Sequence, residues 1–271
     1  MRLVVRRSGA VLVAAAGCVL ALGLTGCSRS SGASAAAAVR SHAGSTYTLM
    51  QMNLCLSGLA GCYRKVRYPG VVSEAITRIR AERPAAVTFN EACSGDVALI
   101  ARRTGYRWRF STVIYYGKPL ACIRPGGRGL FGDAVLTKAA VESSSNHAFK
   151  AQKGPEQRRW LCVDTRGSVD VCTAHLASPE TDEVAANAPQ CAELRSLLAR
   201  RASSGTVIFG GDLNRHSACA PSGFWIRTDA SAHQDPGSQH VYGTGALRSP
   251  AAQIVPATHT DHDVLLVHAR F

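Results

Sequence analysis

Val207-Ile208-Phe209-Gly210-Gly211-Asp212-Leu213-Asn214 places a carboxylate and a carboxamide where an apolar run ends. The β-branched and aromatic residues predict a buried strand, and the glycine pair lets the backbone turn without Cβ clashes. In open α/β sheets ligands bind in the crevice at the carboxyl ends of strands, so Asp212 and Asn214 stand where chemistry is expected. Three further strand-like runs finish in the same manner. Leu49-Met50-Gln51-Met52 ends on Asn53, Ala86-Val87-Thr88-Phe89 on Asn90-Glu91, and Val169-Asp170-Val171-Cys172 on His175. A last polar group, Thr260-Asp261-His262, leads into the terminal run Val264-Leu265-Leu266-Val267.

The first residues form a different kind of segment. Arg2, Arg6 and Arg7 precede an uncharged stretch from Val11 to Leu24, followed by Leu24-Thr25-Gly26-Cys27. That stretch is short of the roughly 20 residues a membrane span needs, and residues 1–26 have the form of a lipoprotein signal peptide. Cys27 is then the expected lipidation site, anchoring the chain outside the cytoplasmic membrane or leaving it released outside the cell. Residues 27–46, rich in Ser, Ala and Gly, cannot bury enough apolar surface to offset ordering entropy and read as a flexible linker. Residues 47–271 suffice for one domain with a sizeable core, expected to act as a monomer.

Eight cysteines follow Cys27: Cys55, Cys62, Cys93, Cys122, Cys162, Cys172, Cys191 and Cys219. An even number in an exported chain favours disulfides, and the absence of Cys-x-x-Cys spacing argues against structural zinc. Cys162 and Cys172 flank a Thr165-Arg166-Gly167-Ser168 turn that would set them opposite each other on a hairpin. Cys55 with Cys62 would close a small loop beside Asn53. The other four are compatible with Cys93–Cys122 and Cys191–Cys219, although spacing does not fix connectivity.

The net charge is +13; without the three leader arginines, 28 basic residues face 18 acidic ones. Such a surface attracts polyanions, among them nucleic acid, anionic lipid and cell-wall polymers. A coding bias towards Arg, Ala and Gly would raise the charge as well, so charge favours nucleic acid only modestly.

Helical periodicity predicts a helix between Val71 and Arg83, stopped by Pro84. A longer one is predicted over 181–202, which Pro189 should kink or divide. Strands are predicted over 47–54, 86–91, 108–116, 133–138, 159–164, 169–175, 206–212, 239–242 and 263–267. Short turns join some of these and helices join others, which implies mixed sheets with covering helices rather than a pure parallel winding.

Taken in order, Asn53, Glu91, His175-Leu176, Gly211-Asp212-Leu213-Asn214 and Thr260-Asp261-His262 resemble the motif series of the endonuclease/exonuclease/phosphatase superfamily, with its deoxyribonuclease-I-like fold. The resemblance spans essentially the whole of 47–271. It implies a four-layer α/β/β/α sandwich, two mixed sheets face to face with helices outside. It also implies metal-dependent phosphoric ester hydrolysis: Glu91, Asn53 and Asp261 as the environment of Mg²⁺, with Mn²⁺ or Ca²⁺ as alternatives; Asp212 activating or orienting water; Asn214 fixing the phosphate; and His175 and His262 contacting it. The chemistry of the residues agrees. A carboxylate is a hard ligand suited to Mg²⁺, which takes one or two carboxylates and keeps several waters.

Two departures carry expectations. Gln239 falls where many members have an Asp that orients the C-terminal histidine, so an amide is expected to hold His262 without stabilising its charged form. His175 has no evident acidic partner, and Arg158-Arg159 offers an arginine for substrate phosphate. His259 and His262, in His-x-x-His spacing in a loop without a third nearby ligand, do not make a zinc site.

These readings favour an exported, lipid-anchored phosphodiesterase acting on nucleic acid, with DNA endonuclease activity leading. The alternatives are a phosphatase or phospholipase C-type hydrolase on phosphorylated lipids or sugars, and a non-catalytic polyanion-binding lipoprotein.

Overall fold

Fifteen strands and three α-helices appear in the computed structural model, which describes residues 44–167, 169–179 and 183–271. The signal-peptide and lipidation expectations, Cys27 included, lie outside the described residues. The strands are β1 (Thr46–Asn53), β2 (Ala86–Cys93), β3 (Arg107–Thr112), β4 (Ile114–Tyr115), β5 (Lys118–Pro119), β6 (Phe131–Thr137), β7 (Val141–Ala148) and β8 (Glu156–Gln157). They continue as β9 (Arg159–Thr165), β10 (Val169–Ala174), β11 (Thr206–Asp212), β12 (Trp225–Thr228), β13 (Gln239–Gly243), β14 (Arg248–Val255) and β15 (Val264–Arg270). The helices are α1 (Gly70–Glu82), α2 (Ser94–Thr104) and α3 (Val184–Ala202), with a 3-10 turn at Gly61–Arg64.

Two six-stranded sheets form, ordered β14-β15-β1-β2-β6-β3 and β12-β13-β11-β10-β9-β7. Each contains a single parallel pair, β1 with β2 and β10 with β11, flanked by antiparallel neighbours in the same pattern. A small third sheet, β5-β4-β8, joins strands that follow β3 to the strand preceding β9.

Alternation along each strand builds the layers. Leu49, Val171, Ile208, Val241 and Leu265 meet in an apolar cluster to which both sheets contribute. Met50, Met52, Val87 and Phe89 face the other way, onto Val71, Ala75 and Ile79 of α1 and Val97 and Ile100 of α2. Val207 and Phe209 face Leu194, Leu197 and Leu198 of α3. The result is the expected α/β/β/α sandwich. Fully burying an aliphatic side chain of this kind contributes roughly 1.5–3 kcal/mol, so these three clusters dominate the stability.

Gly210 packs directly against the facing sheet. A Cβ there would sit 2.5 Å from Thr88 Oγ1 and 2.8 Å from Leu49 Cδ2. A Cβ on Gly211 would sit 2.3 Å from the Ala174 carbonyl oxygen, so the glycine pair is a packing requirement more than a turn.

All four pairings expected or compatible with the sequence form: Cys55–Cys62, Cys93–Cys122, Cys162–Cys172 and Cys191–Cys219. Several elements differ from expectation. α3 runs undivided through Pro189, which stands in its second turn and forfeits one main-chain bond. The predicted strand over 108–116 is two strands, because β4 leaves the first sheet to pair with β5 and β8. Helix α2 and strands β5, β7, β8, β12 and β14 were not anticipated. β7, which reads Val-Glu-Ser-Ser-Ser-Asn-His-Ala and is mostly exposed, is an edge strand held by its pairing with β9 rather than by burial.

Candidate active site

The carboxyl ends of the two parallel pairs converge at one edge of the sandwich. β1 delivers Asn53, β2 delivers Glu91, β10 runs into His175 and β11 ends on Asp212. Asn53 is in register with Asn90, and His175 bridges Asp212 in the parallel sense. On the inter-sheet face the side chains grade from apolar to polar towards this edge: Leu49 to Gln51 to Asn53, Val171 to Thr173 to His175, and Ile208 to Gly210 to Asp212.

Glu91 breaks that alternation. It follows Asn90, whose side chain lies between the sheets, and simple pleating would turn Glu91 towards the helices. Instead β2 shifts register against β6 between Phe89 and Ala92, and Glu91 adopts φ 54°. The bulge re-aims the carboxylate into the site. Asn53 Nδ2 donates to Glu91 Oε1 (2.9 Å) and to Asp212 Oδ2 (2.8 Å). Its Oδ1 accepts the Cys55 amide (3.0 Å). The Cys55–Cys62 bridge lies directly alongside, with Cys62 Sγ 3.8 Å from Glu91 Oε2.

Beneath the site lies a fully hydrogen-bonded layer. Asn90 Oδ1 accepts the Asp212 amide (2.8 Å) and Gln51 Nε2 (2.8 Å), while Asn90 Nδ2 donates to Asp133 Oδ1 (2.9 Å). Thr88 Oγ1 donates to Gln51 Oε1 (2.6 Å). These groups are buried, so the layer fixes the register of the carboxyl ends of the two parallel pairs.

The two histidines differ in charge. His262 is ringed by carboxylates: Nδ1 is 2.9 Å from Asp261 Oδ1, and Nε2 is 2.9 Å from Asp235 Oδ2 and 3.3 Å from Asp212 Oδ2. Burial alone would lower its pKa, but the three carboxylates outweigh it and hold the ring as an imidazolium, well above its ordinary range. His175 has the opposite surroundings. Its Nδ1 accepts from Arg158 Nη1 (2.8 Å), its Nε2 lies 2.9 Å from the Asn214 side-chain amide, and the carboxylates of Glu91 and Asp212 stay 3.9 and 4.0 Å away. Burial and the Arg158 guanidinium push its pKa down to about 3, so His175 is neutral.

Asp212 is buried, which would raise its pKa. The hydrogen bond with His262 and the bond from Asn53 more than offset this, and its carboxyl titrates well below the usual range. Asn214 donates its main-chain amide to Asp212 Oδ1 (2.9 Å) and its side-chain amide to the Leu176 carbonyl (3.0 Å). Glu91 is pushed up to about 7 by burial, with Asp212 adding to the shift against the Asn53 hydrogen bond.

With a carboxylate at Glu91, and Asp261 on the turn tied to Asn53 by Thr260 Oγ1 (3.1 Å to Asn53 O), the residues fit a hard divalent ion; Asn53, whose Nδ2 faces Glu91, would offer its Oδ1 only on turning its amide over. Cys55 and Cys62, although beside Glu91, are joined to each other and are not ligands.

The expectation for Gln239 is corrected. Its Nε2 donates to the Asp263 carbonyl (2.6 Å) and to Asp229 Oδ2 (3.1 Å), deep between the strands, and it does not touch His262. The carboxylates on His262 come from Asp261 and from Asp235 in the loop before β13. Asp235 was missed because nothing in Gln234-Asp235-Pro236-Gly237 distinguishes it from an ordinary turn. Arg158 was considered for substrate phosphate; it is buried, against His175 and the carboxylates of Glu156 (3.1 Å) and Glu183 (3.5 Å). His259 pairs with Glu74 of α1 (2.9 Å), clear of any metal role.

Residues 63–262 match the Endonuclease/Exonuclease/phosphatase family. No curated protein matches the chain. Among solved structures, the catalytic domain of human Nocturnin with bound sulfate is similar at TM-score 0.64 and 15% identity, covering 83% of this chain and 93% of that one. Truncated TDP2 from Caenorhabditis elegans gives TM-score 0.60 at 16% identity, covering 83% and 98%. D. rerio TDP2 complexed with single-strand DNA product gives 0.59 at 14%, covering 84% and 100%.

Proposed function

The chain belongs to the endonuclease/exonuclease/phosphatase family, and from that membership we propose that it is an exported, Mg²⁺-dependent phosphodiesterase that hydrolyses nucleic acid as a DNA endonuclease. The observation that carries this reading is the convergence of Asn53, Glu91, His175, Asp212, Asn214 and His262, with one histidine charged and the other neutral. A polyanion-binding protein has no use for such a split.

Each residue has a role that follows from its contacts. Asp212, clamped by Asn53 and by the Asn214 amide, aims the attacking water through its lone pairs. Its low pKa makes it an orienting acceptor first and a base only as His262 is drawn towards the phosphate. The His262 imidazolium offers charge and a proton to the phosphoryl or leaving oxygen. His175, its Nδ1 occupied by Arg158, presents Nε2 with Asn214 to position the phosphate. Glu91 and Asp261, with Asn53, would hold a divalent ion, which would neutralise charge on the phosphoryl oxygens.

The excess of basic residues supports a polyanionic substrate. The DNA product held by the D. rerio TDP2 structure makes DNA the first substrate to test. Anchoring through Cys27, action outside the cytoplasm and a monomeric state complete the proposal.

The experiment is nicking of supercoiled plasmid in Mg²⁺ and in EDTA, beside Asp212→Ala and His175→Ala. Metal-dependent nicking that both substitutions abolish supports the reading. Folded wild-type protein that leaves plasmid intact in Mg²⁺ removes DNA endonuclease activity and turns attention to phosphorylated lipids and sugars.

A further inference from the structure

The small sheet beside the site ends in a feature that the proposed chemistry does not use. The β4–β5 hairpin turns at Tyr116-Gly117, both with positive φ (47° and 74°). Tyr115 and Tyr116 set their rings edge to face with centroids 4.8 Å apart. Tyr116 is 75% exposed, Lys118 and Pro119 on the return strand are exposed, and so is Lys153 in the segment leading to β8. The Tyr116 amide bonds the Pro155 carbonyl (2.9 Å), which brings that segment against the turn.

The register of this sheet fixes which side faces the catalytic groups. Tyr115 lies directly opposite Glu156, so the two side chains share a face. Glu156 reaches Arg158, two residues on (3.1 Å), and Arg158 reaches His175 (2.8 Å). Tyr115 is therefore on the side of the sheet that looks towards His175. Counting along the strands at about 3.3 Å per residue, the turn stands roughly 10 Å from Arg158.

Charge at this face suits a polyanion. The acidic groups next to Tyr115, Glu156 and Glu183, share the one Arg158 guanidinium, which offsets one of their two charges. Against the remaining charge stand Lys118, directly opposite Tyr115, with Lys153 exposed in the segment leading to β8 and Arg124 exposed in the loop after β5. The exposed Tyr116 ring, set edge to face on the half-buried Tyr115 and flanked by cations, offers stacking to a base whose face is free, and inside a duplex both faces are covered by the neighbouring pairs.

We propose that the Tyr115–Tyr116 hairpin is a base-stacking platform that engages single-stranded polynucleotide flanking the scissile phosphate. The placement relative to the scissile bond rests on the phosphodiesterase reading; the binding itself does not.

The test is fluorescence anisotropy of the full chain in EDTA with a labelled oligothymidylate and with an abasic oligomer of the same length. Tyr115→Ala/Tyr116→Ala should weaken oligothymidylate binding about tenfold or more. Tyr115→Phe/Tyr116→Phe should bind as wild type, and the abasic oligomer should be bound weakly and equally by all three. Unaltered melting temperatures establish that the variants are folded, as substitutions in this turn should be. An unchanged affinity of the Ala variant for oligothymidylate overturns the proposal. So does an equal loss on both oligomers, or a loss confined to vesicles of phosphatidylglycerol and phosphatidylcholine, which would assign the rings to a lipid surface. Wild-type hydrolysis of methyl p-nitrophenyl phosphate in Mg²⁺ is scored separately. Its absence, together with intact plasmid, defeats the phosphodiesterase reading while the anisotropy still decides the platform.

Discussion

Replacing Asn90 by Ala removes the connection between the two halves of the site without touching any group that meets substrate. Asn90 is fully buried and makes four side-chain contacts: acceptance from the Asp212 amide and Gln51 Nε2, donation to Asp133 Oδ1, and a longer one to Thr173 Oγ1 (3.4 Å). Gln51 retains Gln239 Oε1 (3.3 Å), the Thr173 hydroxyl can rotate and Asp133 keeps the Glu91 main-chain amide, so the Asp212 amide is the group left without a partner. A buried polar group without a partner costs about 1–3 kcal/mol and the lost Asp133 bond about 1 kcal/mol, which gives a loss on the order of 3 kcal/mol. For a domain of this size that is roughly 6–12 °C in melting temperature. Because the amide released belongs to Asp212, kcat should fall about a hundredfold, as expected for a displacement of about 1 Å at a reacting group. Calorimetry and steady-state hydrolysis of a small phosphodiester read both effects. Asn146→Ala, on the exposed face of β7, is the control and should stay within about 0.5 kcal/mol of wild type. An Asn90→Ala protein that melts within about 2 °C of wild type and keeps its kcat would refute the coupling.

Mg²⁺ at about a hundred times its Kd should raise wild-type stability by about 2.7 kcal/mol, and Glu91→Gln should lose most of that gain along with activity. In EDTA above pH 7 the same variant should melt no lower than wild type, because it removes a buried carboxylate whose ionised form the fold disfavours. Asp133, pushed up to about 7 chiefly by burial, keeps its proton in the folded protein at pH values where the unfolded chain has lost it. Folding therefore takes up a proton between about pH 4 and pH 7, and stability in EDTA should fall as pH rises through that window; Asp133→Asn should flatten the slope of denaturation midpoints against pH. Cys55→Ser/Cys62→Ser, with the other three bridges intact, should weaken Mg²⁺ binding by titration calorimetry, since the bridge backs Glu91 and the Cys55 amide holds Asn53. An unchanged metal affinity would make that bridge purely a stabiliser.

The positions legible in the sequence share a physical origin. A polar residue ending an apolar run is costly unless it reaches solvent or a partner, so Asn53, Asp212 and His175 announce strand ends that carry chemistry. Glu91 was legible as a residue but not as a direction, because its orientation depends on a bulge defined only by the register of β2 against β6. The partners of the histidines were the least legible. Asp235 lies 27 residues before His262, in an irregular loop without a periodic pattern, and Gln239 has the right sequence position but is drawn away by Asp229 and the Asp263 carbonyl. β7 lacks apolar content, and α2 is too short for its period to stand out from the flanking strand.

The sequence by itself determined the layers and the chemistry available, because period-2 and period-3.6 patterns dictate which faces leave water and because carboxylate, amide and imidazole each support a narrow set of reactions. Only the tertiary structure decided how that chemistry is tuned. The charge of His262 and the neutrality of His175 depend on which carboxylates and which guanidinium lie within about 3 Å in a buried site, and Coulomb energies there change steeply with distance and burial. Apart from Asp261, those neighbours come from residues distant in the chain, brought together when the carboxyl ends of two parallel strand pairs meet at one edge of the sandwich.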